Sequence, residues 1–222
     1  TGRISTLDGA PGRPWLVKFP GRQEHKEVCA IEHCYAQLVH DCGLDIPRTR
    51  LFDLGPKYAA FAIERFDRQD GMRVPIHTLA GALHADFRLP GVSAQTFLRC
   101  TQLFTRSVHE VRKAFARVVF NIVFNNRDDH TKNFSYRMDE KFSWRLAPCY
   151  DVTYCVGPAG EHFMDIEGEG KAPARKHLMQ LATSNGIDAA WAEETIAHIV
   201  EVASTFKDLA KSYPIRPATR SE

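Results

Sequence analysis

Apolar residues recur along this chain with two different periods, and the change of period divides it. Residues 15–19 form a short apolar run between Pro14 and Pro20, broken once, by Lys18. A run of this kind predicts a buried strand, where a lysine needs a partner. Val28, Ile31, Tyr35, Leu38 and Val39 then recur at helical spacing until Gly43 stops the helix. At about 100° per residue Glu32 falls on that apolar stripe, so the helix turns a carboxylate toward the core and supplies the partner. Residues 50–54 and 58–63 read as further strands, the second running into Glu64-Arg65-Phe66-Asp67-Arg68. Strand, helix, strands and a charged connector describe a small mixed lobe over residues 1–68. Beyond Gly71 the period becomes helical, at 78–83, 94–104 and 110–124, and the last of these is apolar almost all round at its end, as a buried central helix would be. Strand-like runs follow at 134–137 and 142–146. Helices at 175–182 and at 189–209, the second behind Asp188 as N-cap, close the chain, and Pro214 and Pro217 predict a frayed tail. The pattern as a whole predicts an α+β protein of two lobes, with residues 69–222 as the larger, mostly helical one.

Composition narrows the function little. Of 222 residues, 29 are basic and 27 acidic, and a net charge of +2 gives no argument for nucleic acid or an anionic membrane as partner. No uncharged apolar run approaches the roughly 18 residues that cross a bilayer, and there is no leader pattern at Thr1, which predicts a soluble chain with no membrane partner. The start at Thr1 rather than Met predicts a missing N-terminal segment or subunit. Six cysteines without a CxxC pair predict small core residues in a reducing, cytoplasmic compartment, and the ten histidines lack the spacing of a structural zinc site.

Chemistry concentrates after the buried helix. The eight residues from Asn126 to Asn133 hold two aspartates, a histidine, a lysine, an arginine and two asparagines, more than a turn requires. Asp128 and Asn133 stand five positions apart. The catalytic loop of eukaryotic-type protein kinases has this offset, its Asp accepting the proton of the substrate hydroxyl and its Asn holding Mg²⁺. Magnesium takes oxygen ligands, and Asp151, 18 residues on and beyond a strand-turn-strand stretch that would return it to the loop, offers a second carboxylate. A kinase would place Asp-Phe-Gly here; this chain has Asp151-Val152-Thr153. In the small lobe Lys18 and Glu32 match, by type, order and spacing, the phosphate-binding cation and the carboxylate that holds it. Gly2, Gly9 and Gly12 make a glycine-containing loop without a strict GxGxxG pattern. A metal hydrolase built on Asp128, Asp129 and His130 would have no use for Lys18 and Glu32.

With these residues in place the chain resembles the HipA-like serine/threonine kinases, toxins of bacterial persistence modules. The blocks that carry the resemblance are Arg3-Ile4-Ser5 with Gly9-Ala10, Leu16-Val17-Lys18-Phe19-Pro20, Glu64-Arg65-Phe66-Asp67-Arg68, Asp128-Asp129-His130-Thr131-Lys132-Asn133 and Leu146-Ala147-Pro148-Cys149-Tyr150-Asp151, in the family's order. The resemblance implies a protein-kinase-like fold and a dependence on ATP and Mg²⁺. It implies that Asp128 is catalytic and that Asn133 and Asp151 hold the metal. It also implies that Glu64 and Phe66 offer backbone to adenine, that Asp67 binds ribose and that Lys18 binds phosphate. His130 and Lys132 either reach the phosphates or stabilise the loop. Pro11-Gly12-Arg13-Pro14 departs from the family's glycine loop. The family phosphorylates itself on a serine in that loop, which points here to Ser5 or Thr6. A protein substrate, such as an aminoacyl-tRNA synthetase, and a helix-turn-helix antitoxin are the implied partners, with DNA reached only through the antitoxin. Two other readings stand beside this one: a small-molecule kinase of related fold, and a non-catalytic antitoxin-binding module, which the joint presence of Lys18, Asp128, Asn133 and Asp151 disfavours.

Overall fold

The computed structural model describes residues 5, 6 and 12–221. Expectations placed on Gly2, Arg3, Ile4, Gly9, Ala10 and Pro11 lie outside the described residues.

Trp15–Lys18 (β1), Glu27–Asp41 (α1), Thr49–Asp53 (β2) and Ala59–Glu64 (β3) follow one another as the periodicity predicts. The strands form an antiparallel sheet in the order β1-β3-β2, with Lys18 and Leu51 opposite Phe61 from either side. Central β3 is buried from Ala59 to Ile63, which is why its sequence is apolar without alternation. One side of α1 packs Cys29 and Ala36 against Ala59, Phe61 and Ile63, and Tyr35, Leu38 and Val39 join the main core. The Tyr35 hydroxyl donates to the Phe124 carbonyl at 3.1 Å. The helix that carries Glu32 is therefore wedged between the sheet and the helical part.

Three short strands escape the sequence pattern. Arg68–Gln69 (β4) pairs with Met72–Arg73 (β5), and Ile76–Thr78 (β6) joins a second sheet. Two or three residues carry no periodicity. Thr78 ends β6 and N-caps Leu79–Leu83 (α2), its hydroxyl accepting from the Gly81 N–H at 3.0 Å, so the helix expected from residue 78 begins one residue later. Ala94–Thr105 (α3) and Val108–Val123 (α4) follow, α4 buried over most of its circumference. Ser135–Met138 (β7) and Trp144–Leu146 (β8) complete the second sheet, in the order β6-β7-β8. Phe142, expected at the head of the last strand, lies in the turn, 85% exposed, with φ +56°. The Asp139 carboxylate shapes that turn by accepting from the N–H groups of Lys141 and Ser143.

Arg175–Ser184 (α5) and Ala189–Ser204 (α6) stand as expected, and Asp188 caps α6 through the Trp191 N–H at 2.9 Å. The long helix expected to residue 209 breaks at Thr205, and Phe206–Lys211 (α7) is separate. Ser204 and Thr205 return their hydroxyls to the carbonyls of Glu201 and Val202, the local competition that ends helices. Nor is the tail frayed. Pro217–Ser221 (α8) forms a short helix, and the segment before it is fastened to α1. Five of the six free cysteines are buried and Cys155 is half-buried. Among the described residues no helix is long and apolar enough to cross a membrane.

Candidate active site

The loop after α4 is held from its first residues. Asn125 turns the chain at φ +51°, and buried Asn126 donates from its backbone to the Asn121 carbonyl and from Nδ2 to Asn121 Oδ1, both at 2.9 Å. Asp128 and Asn133 are joined, Nδ2 of Asn133 donating to the Asp128 carbonyl at 2.8 Å across a single 3-10 turn, Thr131–Asn133. This spends the amide's nitrogen within the loop and leaves its oxygen as the acceptor end. The Asp128 side chain is 44% exposed, with Oδ1 3.7 Å from His130 Nε2. Desolvation lifts its carboxyl above the ordinary aspartate value; His130 opposes the shift, and the negative charges of Asp151 and Asp129 add to it.

Asp129, adjacent in sequence, does something different. Its buried carboxylate accepts from His162 Nδ1 at 3.0 Å and from the N–H groups of Phe163 at 2.7 Å and Met164 at 3.4 Å. It is a brace between the loop and residues 162–164. Asp129→Ala is expected to cost about 3 kcal/mol of stability in chemical denaturation, because buried donors lose their acceptor at once.

The β7–β8 hairpin returns the chain to the loop as its length predicts. The Ala147 N–H donates to the Ser135 carbonyl at 2.8 Å, and the Tyr150 hydroxyl donates to the Lys132 carbonyl at 2.7 Å and meets Ser135 Oγ at 2.5 Å. Asp151 follows in the left-handed region, φ +55°. Its Oδ1 and Glu32 Oε1 each lie 2.5 Å from Lys18 Nζ. Burial works against the lysine's charge, but the hydrogen bonds to Asp151 and Glu32 outweigh it and hold its pKa above the ordinary value. Burial also raises the Glu32 carboxyl, against the pull of Lys18. Lys18 is thus the cation of two carboxylates, Glu32 and Asp151, and balances the charge of one of them. A cleft opens here, lined by Asn126, Asp129, Asn133, Tyr150 and Asp151. Asn126 Oδ1 is buried in it without a hydrogen-bond partner among the described residues. Excess negative charge and oxygen donors suit a hard divalent cation that shares its shell with phosphate.

The connector is arranged less openly than the sequence suggests. The Glu64 carboxylate is held by Arg48 at 2.8 Å and Arg13 at 2.9 Å, and its N–H donates to the Arg48 carbonyl, so only its carbonyl is left for a base. Phe66 packs its ring on Tyr150, 5.5 Å between centroids. Asp67 is gripped by Arg65 at 2.6 and 2.8 Å and by Arg68 at 2.6 Å, and its carboxyl is held below the ordinary value by the Arg65 hydrogen bonds first. A ribose hydroxyl would have to share oxygens already engaged. Lys132 lays its ammonium 3.4 Å from the centroid of Phe87, whose ring also meets the edge of His130 at 5.5 Å. Ser5 and Thr6 are exposed. Sequence reasoning missed Phe87 and His162, which arrive from distant segments, and Tyr150, although it stands next to Asp151.

A family model, the HipA-like C-terminal domain, matches residues 4–206. A Haemophilus influenzae protein named "Putative kinase" is 26% identical over 159 residues, 65% of this chain and 46% of that protein. A Sinorhizobium fredii protein, "Putative kinase Y4dM", is 28% identical over 154 residues, 64% of this chain and 37% of its own. The chain thus spans less than half the length of these relatives. Among solved structures, HipA of Shewanella oneidensis MR-1, in complex with HipB and operator DNA, superposes with a TM-score of 0.74 at 19% identity, over 93% of this chain and 54% of that one. The Helicobacter pylori proinflammatory kinase CtkA superposes with a TM-score of 0.58 at 13% identity, over 90% of each. Identities this low speak for fold alone, and the fold is the two-lobed, kinase-like α+β arrangement described above. With the family pattern running from residue 4 through the sheet, the loop and the returning hairpin to residue 206, the chain belongs to the HipA-like C-terminal domain family.

Proposed function

We propose that the chain is the catalytic core of an ATP- and Mg²⁺-dependent protein serine/threonine kinase of HipA type, with residues 1–68 as the nucleotide-holding lobe and 69–222 as the catalytic one. One observation carries the reading: Lys18 is held between Glu32 and Asp151, Asp151 lines one cleft with Asn133, and Asn133 is tied to Asp128. Lys18 binds the α and β phosphates and Glu32 fixes its reach. Asp151 and Asn133 offer oxygens to Mg²⁺, which when bound neutralises phosphate charge. Asp128 orients the substrate hydroxyl and takes its proton as the oxygen attacks the γ phosphorus and the bond to ADP breaks. His130 and Lys132 steady this loop against Phe87. The Glu64 carbonyl and the Phe66 N–H are the adenine contacts, with Asp67 beside the ribose.

HipA of Shewanella oneidensis stands in complex with HipB and operator DNA; for this chain we take an antitoxin as partner and DNA as reached only through it. Its target is a protein of the reducing cytoplasm, with an aminoacyl-tRNA synthetase as the candidate the family resemblance supplies. Self-modification tests this reading without the target. Incubated with ATP and Mg²⁺, the protein is expected to gain 80 Da, about the mass of one phosphoryl group, on Ser5 or Thr6, and the product to bind ATP more weakly, because a phosphate adds up to about two negative charges beside those of the nucleotide. Intact-mass and peptide mass spectrometry read the outcome. An active protein without phosphate on either residue, or a modified form with unchanged affinity, would remove self-modification from the proposal.

A further inference from the structure

Residues 213–219 grip the first turn of α1, the helix that carries Glu32. Glu27, 4% exposed, receives the polar part of the grip. The Arg216 N–H donates to Oε2 at 2.8 Å, its guanidinium to Oε1 at 2.8 Å through Nε and 2.5 Å through the terminal nitrogen, and the Thr219 hydroxyl to Oε1 at 3.0 Å. His25 lies beside this cluster, with Nδ1 3.8 Å from Oε1. Burial alone would raise the carboxyl's pKa, but Arg216 and Thr219 outweigh it and hold it down to about 2. The pair's contribution is therefore complete above the usual carboxylate pKa and is lost as pH falls from there toward about 2. Below it, Ala210 and Ile215 close on Ala30 and Cys34, and the Tyr213 ring lies 5.5 Å from His33.

Glu27 is buried but the Arg216 side chain is 58% exposed, and an ion pair open to water on one side adds little net stability, whereas its directed bonds specify one position. Those bonds act five residues before Glu32, about 7.5 Å along the helix axis. Glu32 must reach Lys18 at 2.5 Å, so rotation or sliding of α1 would part them. The match to the family model covers Glu27 and stops at residue 206, ahead of Arg216 and Thr219.

We infer that Arg216 and Thr219 are positioning residues: through Glu27 they set α1 so that Glu32 meets Lys18. The inference rests on the kinase reading for its consequence in catalysis and on geometry for its mechanism. Arg216→Ala is expected to slow phosphate transfer between about tenfold and a hundredfold, the scale of a small misplacement in a preorganised site. Glu32→Gln should slow it as well, and the double variant should be no slower than Glu32→Gln alone, because both changes break one chain of contacts. Amide exchange should quicken at residues 27–36. Thr219→Val, which removes one of the four bonds, should show the same non-additivity more mildly and covers the case in which Arg216→Ala fails to fold. Transfer by the unaltered protein reports on the kinase reading alone. Additive losses, or full activity of both single variants at the tail, would overturn the grip. If the unaltered protein transfers nothing, exchange decides: acceleration confined to α1 in Arg216→Ala supports the grip, and an unchanged α1 overturns it.

Discussion

Asp128→Asn is expected to lower phosphoryl transfer by about 10²–10⁴, the usual worth of a positioned base, while nucleotide binding survives. The substitution keeps size and backbone. The bond that ties the loop runs from the Asn133 amide to the main-chain carbonyl of residue 128 and is indifferent to the change. What is lost is the proton acceptor. The raised pKa of Asp128 adds a pH signature. A base must be deprotonated, so transfer by the unaltered protein should fall as pH drops through an apparent pKa above that of an ordinary aspartate, and the residual activity of the variant should lack that limb. Steady-state rates across pH, with affinities by titration calorimetry, check both halves. A variant that turns over normally would remove Asp128 from the base's role.

The second large effect belongs to Asp151→Asn. Asparagine tolerates the left-handed backbone at this position, φ +55°, so the substitution removes charge with little strain. Asp151→Ala would add a backbone penalty of about 1–2 kcal/mol and confuse the result. With the carboxylate gone the site loses a charged oxygen ligand, and among the described residues Lys18 keeps Glu32 as its charged hydrogen-bond partner. ATP affinity measured with Mg²⁺ should fall to the affinity measured with a chelator in place of the metal. An undiminished gain from Mg²⁺ would place the metal's protein ligands elsewhere.

The Lys18–Glu32 pair was legible because each residue violates a local rule: a charge within an apolar strand, a carboxylate on an apolar helical stripe. Two violations of opposite sign, one element apart, identify each other. Asp151 was legible through the length of a hairpin. The different fates of Asp128 and Asp129 were not. Adjacent identical residues carry no signal that one is left 44% exposed beside His130 and the other turned to the N–H groups of residues 163 and 164. Asp67 shows the same limit, since flanking arginines read equally as solvated charges or as the clamp they form. The short strands β4 to β6 lacked length for a period, and the break at Thr205 turned on two hydroxyls. The grip of residues 213–219 on Glu27 was the least legible, because it joins positions 189 residues apart through a segment whose prolines suggest disorder.

One measurement bears most directly on the central claim. The purified protein is incubated with ATP labelled at the γ phosphate, Mg²⁺ and a dephosphorylated bacterial extract, beside Asp128→Asn, and the label is followed into proteins and small molecules. Labelled phosphoserine or phosphothreonine in protein, absent with the variant, is the predicted result. Label in a metabolite, or equal labelling by the variant, would contradict it.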